Sequence, residues 1–115
     1  MAITYDLITV GGGIGGAALA GAMAEHGARV LVLEREARFK DRVRGEGLLP
    51  WGVGEARTLG LYAGIRDHGG GLELNGEISF GSLKLPARDL VATTPQAAPF
   101  LSLYHPRMQE TILVS

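Results

Sequence analysis

Six consecutive residues, Gly11-Gly12-Gly13-Ile14-Gly15-Gly16, place glycines in a G-x-G-x-x-G spacing near the start of the chain. Glu34 follows eighteen residues after Gly16, close to the separation of about twenty expected for a dinucleotide site. Each position has a physical task in such a site. Gly11 permits a tight turn, Gly13 lets backbone approach a pyrophosphate with no Cβ in the way, and Gly16 allows a helix to pack closely on the strands. The free amides of the helix start, Ile14 and Gly15 among them, then face the phosphates with the partial positive charge of the helix end. Glu34 can accept hydrogen bonds from ribose hydroxyls, and its charge would repel a 2′-phosphate. The pattern therefore suits FAD or NAD better than NADP. Outside this context Glu34 would read as a solvated charge at a strand end.

The elements that must position these residues are legible around them. Residues 5–10 form a nearly continuous apolar run and predict a parallel strand buried on both faces. Residues 17–26 are mostly alanine and glycine and predict a helix, which Gly27 ends. Residues 29–34 (RVLVLE) predict a second buried strand. Strand, glycine loop, helix and strand in about thirty residues make a right-handed βαβ unit. The stretch 35–49 has five Arg or Lys side chains and no clear period, so it predicts a loop with at most a short turn. Pro50 opens a helix running to about Leu61, and Gly69–Gly71 mark a turn. The alternation from Leu72 to Phe80, continued by Leu83, Leu85 and Leu90, predicts antiparallel strands. Phe100–Leu103 predicts a short strand, and Pro106 opens a last helix through Leu113. Two parallel strands and one crossover are an incomplete doubly wound sheet. The chain accordingly reads as a fragment of a longer protein.

Composition narrows the function classes. The 115 residues are 46% hydrophobic and 20% charged, as in a soluble domain able to bury a core. With no cysteine, a disulfide framework, a thiolate metal site and a cysteine nucleophile are excluded. The net charge of −1 without a basic block argues against nucleic acid or an anionic membrane as partner. No positively charged start precedes an apolar stretch, and the longest apolar run, 14–24, is too short to span a bilayer. The cytoplasm is the default expectation. His26, His68 and His105 lack metal-ligand spacing and read as surface residues. Trp51 reads as a packed aromatic at a helix start.

The opening YDLITVGGGIGGAALAGAMAEHGARVLVLER resembles the FAD-binding start of flavoprotein monooxygenases of the p-hydroxybenzoate hydroxylase type. So does Arg42-Val43-Arg44-Gly45-Glu46-Gly47, followed by Pro50 and a segment ending Leu59-Gly60-Leu61. Tyr104-His105-Pro106-Arg107-Met108-Gln109 resembles a later family element with an arginine at a helix start. The resemblance implies an α/β, Rossmann-like FAD-binding unit with an antiparallel segment. It implies FAD contacts from Gly11, Gly13, Ile14, Gly15, Gly16, Glu34 and Arg35, from Arg44 and Gly45 beside the flavin ring, and from Arg107. It divides the chain into a βαβ unit and flavin loop over 1–61, the first strands of a substrate domain over 72–90, and a return to the FAD domain over 100–115. The implied parent enzyme uses NADH or NADPH and dioxygen to oxygenate a small organic substrate, aromatic or polyketide-like. Its remaining chain is then the partner of this segment, which alone is expected to be inactive. A halogenase or reductase of the same fold is one rival. Halogenases carry a characteristic lysine after the first βαβ, and no lysine lies between Lys40 and Lys84. A nucleotide-binding module without catalysis is the other.

Overall fold

The computed structural model describes residues 1–43, 46–76, 79–80, 82–84, 86 and 88–114. Its first unit is the expected one. Strand β1 (Leu7–Val10) pairs in parallel with β2 (Val30–Leu33), Leu7 opposite Val30 and Val10 opposite Leu33. Helix α1 (Ile14–Glu25) crosses between them. It begins three residues earlier than its alanine run, because Gly13 in an extended conformation serves as N-cap and Gly15 and Gly16 are already helical. Small side chains let α1 lie close to the strands, and buried Ala17, Ala20 and Thr9 mark the contact.

Burial on both strand faces is not what the fold shows. α1 covers the face bearing Thr9, while Ile8, Val10 and Leu33 on the other are 53%, 86% and 49% exposed. A strand alternates its side chains between faces, so one helix layer can cover only one set.

The second unit is an antiparallel sheet in the order β3–β7–β4, from β3 (Gly47–Leu48), β4 (Leu72–Leu74) and β7 (Phe100–Ser102). β3 lies within the stretch expected to be loop. Its two residues are strand only because β7, more than fifty residues later, supplies the partner. Helix α2 (Pro50–Thr58) starts at the proline as expected and stops short of Leu61, where Gly60 turns the chain at φ +70°. Helix α3 (Tyr62–His68) was not foreseen. Its apolar signal is limited to Tyr62 and Ile65, three residues apart and both buried. Strands β5 (Ser79–Phe80) and β6 (Leu83–Lys84) make the expected antiparallel hairpin, whose base is closed by the Arg88 amide donating to the Gly76 carbonyl at 3.1 Å. Leu85, expected to extend that pattern, lies outside the described residues. Leu90 instead opens a helical turn, α4 (Leu90–Thr93), capped by the Asp89 carboxylate accepting from the Ala92 amide at 2.9 Å.

Helix α5 (His105–Val114) joins the units by packing against both α1 and α3. The core forms there: Val53, Tyr62, Ile65, Leu101, Met108 and Ile112 are all buried. No helix among the described residues is long and apolar enough to cross a membrane.

Candidate dinucleotide site

The glycine loop sits where β1 ends and α1 begins, and its shape is set by the positions that tolerate no side chain. Gly11 has φ +106°, a conformation L-residues rarely adopt. At Gly16 an added Cβ would lie 2.1 Å from the Gly11 carbonyl oxygen, so loop and helix touch backbone to backbone. The helix therefore packs first on the loop itself, with the Thr9 side chain next at 3.8 Å.

Gly13 and Gly15 differ from these. A Cβ at Gly15 would meet nothing within 4 Å, and one at Gly13 only the Gln109 amide nitrogen at 3.9 Å. The fold does not need glycine at either position, and the space before them is open. α1 has no side-chain cap and no acidic residue in its first turn. Its first amides thus present donors and partial positive charge to that space.

Glu34 fixes the rim. One carboxylate oxygen accepts from the Gly12 amide at 2.6 Å, the other from the Glu36 amide at 2.9 Å. These bonds, from Glu36 first and Gly12 second, hold the Glu34 carboxyl below its ordinary value of 4.5. A carboxylate has about four acceptor sites, so Glu34 keeps capacity for a ribose hydroxyl. Beyond it the Glu36 carboxylate draws Arg42 to 3.1 Å and Arg35 to 3.6 Å. These side chains, with Gly13, Phe39, Lys40, His105 and Gln109, line a polar cleft of about 160 Å³.

Arg107 lies elsewhere. It is exposed, and its side chain passes across the Gly69–Gly71 turn, with the Cδ and one terminal nitrogen 3.8 Å from where a Cβ on Gly70 would stand. Two residues along a helix rotate a side chain by about 200°, so the face of α5 that turns His105 and Gln109 into the cleft turns Arg107 away. His105 is half-buried there, at the wall of the cleft, whereas His26 and His68 are exposed. The i, i+4 pairing of His105 with Gln109 was the available signal for both. Phe39 and Lys40 carried none, lying in a stretch without a period. Arg44 and Gly45 lie outside the described residues. Among the described residues no cluster of metal-ligating side chains occurs.

A glycine loop feeding unoccluded helix amides, with an acid at the end of the next strand, defines a dinucleotide-binding protein of the Rossmann class. Comparison with known proteins narrows that class. The family model described as "FAD binding domain" matches residues 4–114, and the chain belongs to that family. Squalene epoxidase of Saccharomyces cerevisiae is 40% identical over 65 residues, covering 56% of this chain and 13% of its own length. The p-nitrophenol 4-monooxygenase of Pseudomonas putida superposes with a TM-score of 0.78 at 22% identity, over 99% of this chain and 29% of that one. A myxobacterial chondrochloren halogenase superposes with a TM-score of 0.66 at 32% identity, over 96% and 26%. The chain thus spans under a third of each of these proteins.

The glycines separate fold from binding. Gly13→Val should melt within roughly 0.5–1 kcal/mol of wild type, as an unhindered surface change does, yet retain no FAD. Gly16→Ala should instead cost at least roughly 1–3 kcal/mol through overpacking. Thermal melts and flavin fluorescence titrations on both variants check this; full FAD affinity in folded Gly13→Val would contradict the assignment.

Glu34 supplies a pH test. Its native carboxyl value is lowered, so the stability it contributes is complete above the unfolded value and is lost as pH falls through the native one. The stability gap between wild type and Glu34→Gln should be open at neutral pH and close in acid. Denaturant melts showing the same gap at every pH would contradict the role of the two amide bonds.

Proposed function

We propose that this chain forms the FAD-binding portion of a flavoprotein monooxygenase that uses NADH or NADPH and dioxygen on a small organic substrate. The observation that carries the reading is the pairing of two unforced glycines, Gly13 and Gly15, with the uncapped start of α1 and the Glu34 carboxylate. A ligand that must bring a pyrophosphate to the backbone explains glycine where the fold itself does not require it. FAD fits these residues. The amides of Gly13, Ile14 and Gly15 would hold the pyrophosphate, Glu34 the adenosine ribose, and Phe39 a wall of the adenosine end. Arg35 and Arg42, balanced on Glu36, set the charge of the cleft mouth. The flavin, when bound, supplies the redox and oxygen chemistry; these residues bind it and fix its direction.

Arg44, Gly45 and Arg107 complete the proposed set. The first two belong beside the flavin ring by family resemblance, and Arg107 serves the cofactor only if its side chain swings from the Gly70 turn. The domain reading is likewise a proposal. It is supported by β4 and β7 lying side by side while the β5–β6 hairpin leaves and returns through the Gly76–Arg88 hydrogen bond. The cytoplasm remains the proposed compartment. A second reading, a halogenase, is favoured by the 32% identity to the chondrochloren enzyme.

Losing a charged acceptor at the ribose should weaken FAD binding roughly ten- to a hundredfold in Glu34→Ala, measured by flavin fluorescence. A change below twofold would return Glu34 to a purely structural role. Substrate-dependent oxygen uptake with NADPH by a longer polypeptide carrying these residues would support the monooxygenase. Halide-dependent product formation in its place would select the halogenase.

A further inference from the structure

The β3–β7–β4 sheet has two different faces. Leu101 and its neighbours on one face enter the core between the helices, with Leu101 fully buried. On the other, the Phe100 ring lies over Gly47, so close that a Cβ there would stand 2.1 Å from its Cζ atom. Leu74, paired with Phe100 across the strands, belongs to the same face. Here a cavity of about 570 Å³ opens, bounded by the sheet, the start of α2 and the α4 turn. Leu49, Trp51, Leu74, Leu90 and Phe100 give it apolar walls, and it shares no residue with the dinucleotide cleft. Trp51 is 61% exposed at its edge, which overturns the expectation of a packed aromatic. A large exposed aromatic beside an apolar hollow is the usual mark of a binding surface.

Among the described residues one charged side chain lines the cavity, that of Arg88. Its guanidinium is held in place through a neutral partner. Nε donates to the Thr93 hydroxyl at 2.8 Å and a terminal nitrogen donates to the Thr93 carbonyl at 3.0 Å. The Thr93 hydroxyl in turn donates to the Asp89 carbonyl, and the Asp89 carboxylate caps the same turn. Arg29, Arg35, Arg42 and Arg66 each face a carboxylate within 4 Å; among the described residues Arg88 faces none. A guanidinium has five N–H donors, so Arg88 keeps three beyond its two bonds to Thr93. A positioned cation that meets no carboxylate among the described residues, at an apolar cavity, is complementary to an acid on an apolar body.

We propose that this cavity binds a mostly apolar organic acid, its hydrocarbon against Trp51, Leu74, Leu90 and Phe100 and its acidic group on the Arg88 guanidinium. The proposal deepens the oxygenase reading by naming the class of substrate, and depends on it only for calling the ligand a substrate.

Trp51 is the sole tryptophan of the chain, so its emission reports the cavity directly. Decanoate and 1-decanol, matched in chain length, can each be titrated below their aggregation limits. Decanoate should shift the emission saturably to the blue and bind roughly tenfold more tightly than decanol, the advantage of one charge-assisted contact. Arg88→Leu, with an unchanged circular dichroism spectrum, should bring decanoate down to the level of decanol and leave decanol as it was. No saturable shift with decanoate, equal binding of the two ligands by wild type, or an undiminished preference in Arg88→Leu would each overturn the proposal. FAD affinity, read separately from flavin fluorescence, should not change in Arg88→Leu. Failure of wild type to bind FAD would sink the flavoprotein reading while leaving the Trp51 titration to be judged by itself.

Discussion

The hydrogen bond from the Gly12 amide to the Glu34 carboxylate, 2.6 Å long, ties the end of one strand to the loop that follows the other. Backbone bonds between β1 and β2 fix the register of the pair, but they end at the Gly11 amide, which donates to the Leu33 carbonyl at 2.7 Å. Past that point the loop could leave in several directions. Glu34 selects one by accepting from Gly12 and, through its second oxygen, from Glu36. The same two bonds aim the carboxylate at the space before α1. Gly16 adds the steric half of the constraint, because α1 can start where it does only with bare backbone against the Gly11 carbonyl. The phosphate-facing amides and the ribose-facing acid are thus held by one local arrangement.

α5 extends this arrangement to the rest of the chain. Its buried residues Met108 and Ile112 belong to the core shared with α2 and α3. His105 and Gln109, on another side of the same helix, close the dinucleotide cleft. A ten-residue helix has room for both tasks because its faces are separated by the helical repeat. That economy leaves Arg107 on a third side, against the Gly70 turn. The sheet uses the same logic with period two: Leu101 faces the core while Phe100, its neighbour, faces the apolar cavity.

How much was legible beforehand follows from how local each signal is. The βαβ unit could be read directly, since its glycines, its alanine run and Glu34 all act within about thirty residues. The start of α1 was missed because Gly15 and Gly16 are poor helix formers that become helical only under the packing of the loop. β3 was invisible for the opposite reason, as its pairing partner β7 is remote in sequence. α3 offers only one buried apolar pair, Tyr62 and Ile65, in its two turns, and Leu90 was read as strand because its helical turn depends on the Asp89 cap. In the site, the division between Gly16, which lets the helix pack, and Gly13, which leaves room for a pyrophosphate, was legible from the motif. Three-dimensional geometry adds that Gly16 packs first on the Gly11 carbonyl and that Gly15 is as unhindered as Gly13.

The central claim is that the start of α1 and the Glu34 carboxylate together receive the pyrophosphate and ribose of FAD. Amide proton and nitrogen spectra of the isotope-labelled chain, recorded during addition of FAD, test it most directly. The resonances of Gly13, Ile14 and Gly15 should move furthest, as amides without partners gain charged acceptors. Gly12, whose amide is already bonded to Glu34, should move less. Large shifts confined to residues away from this loop, or no shifts at saturating FAD, would contradict the account.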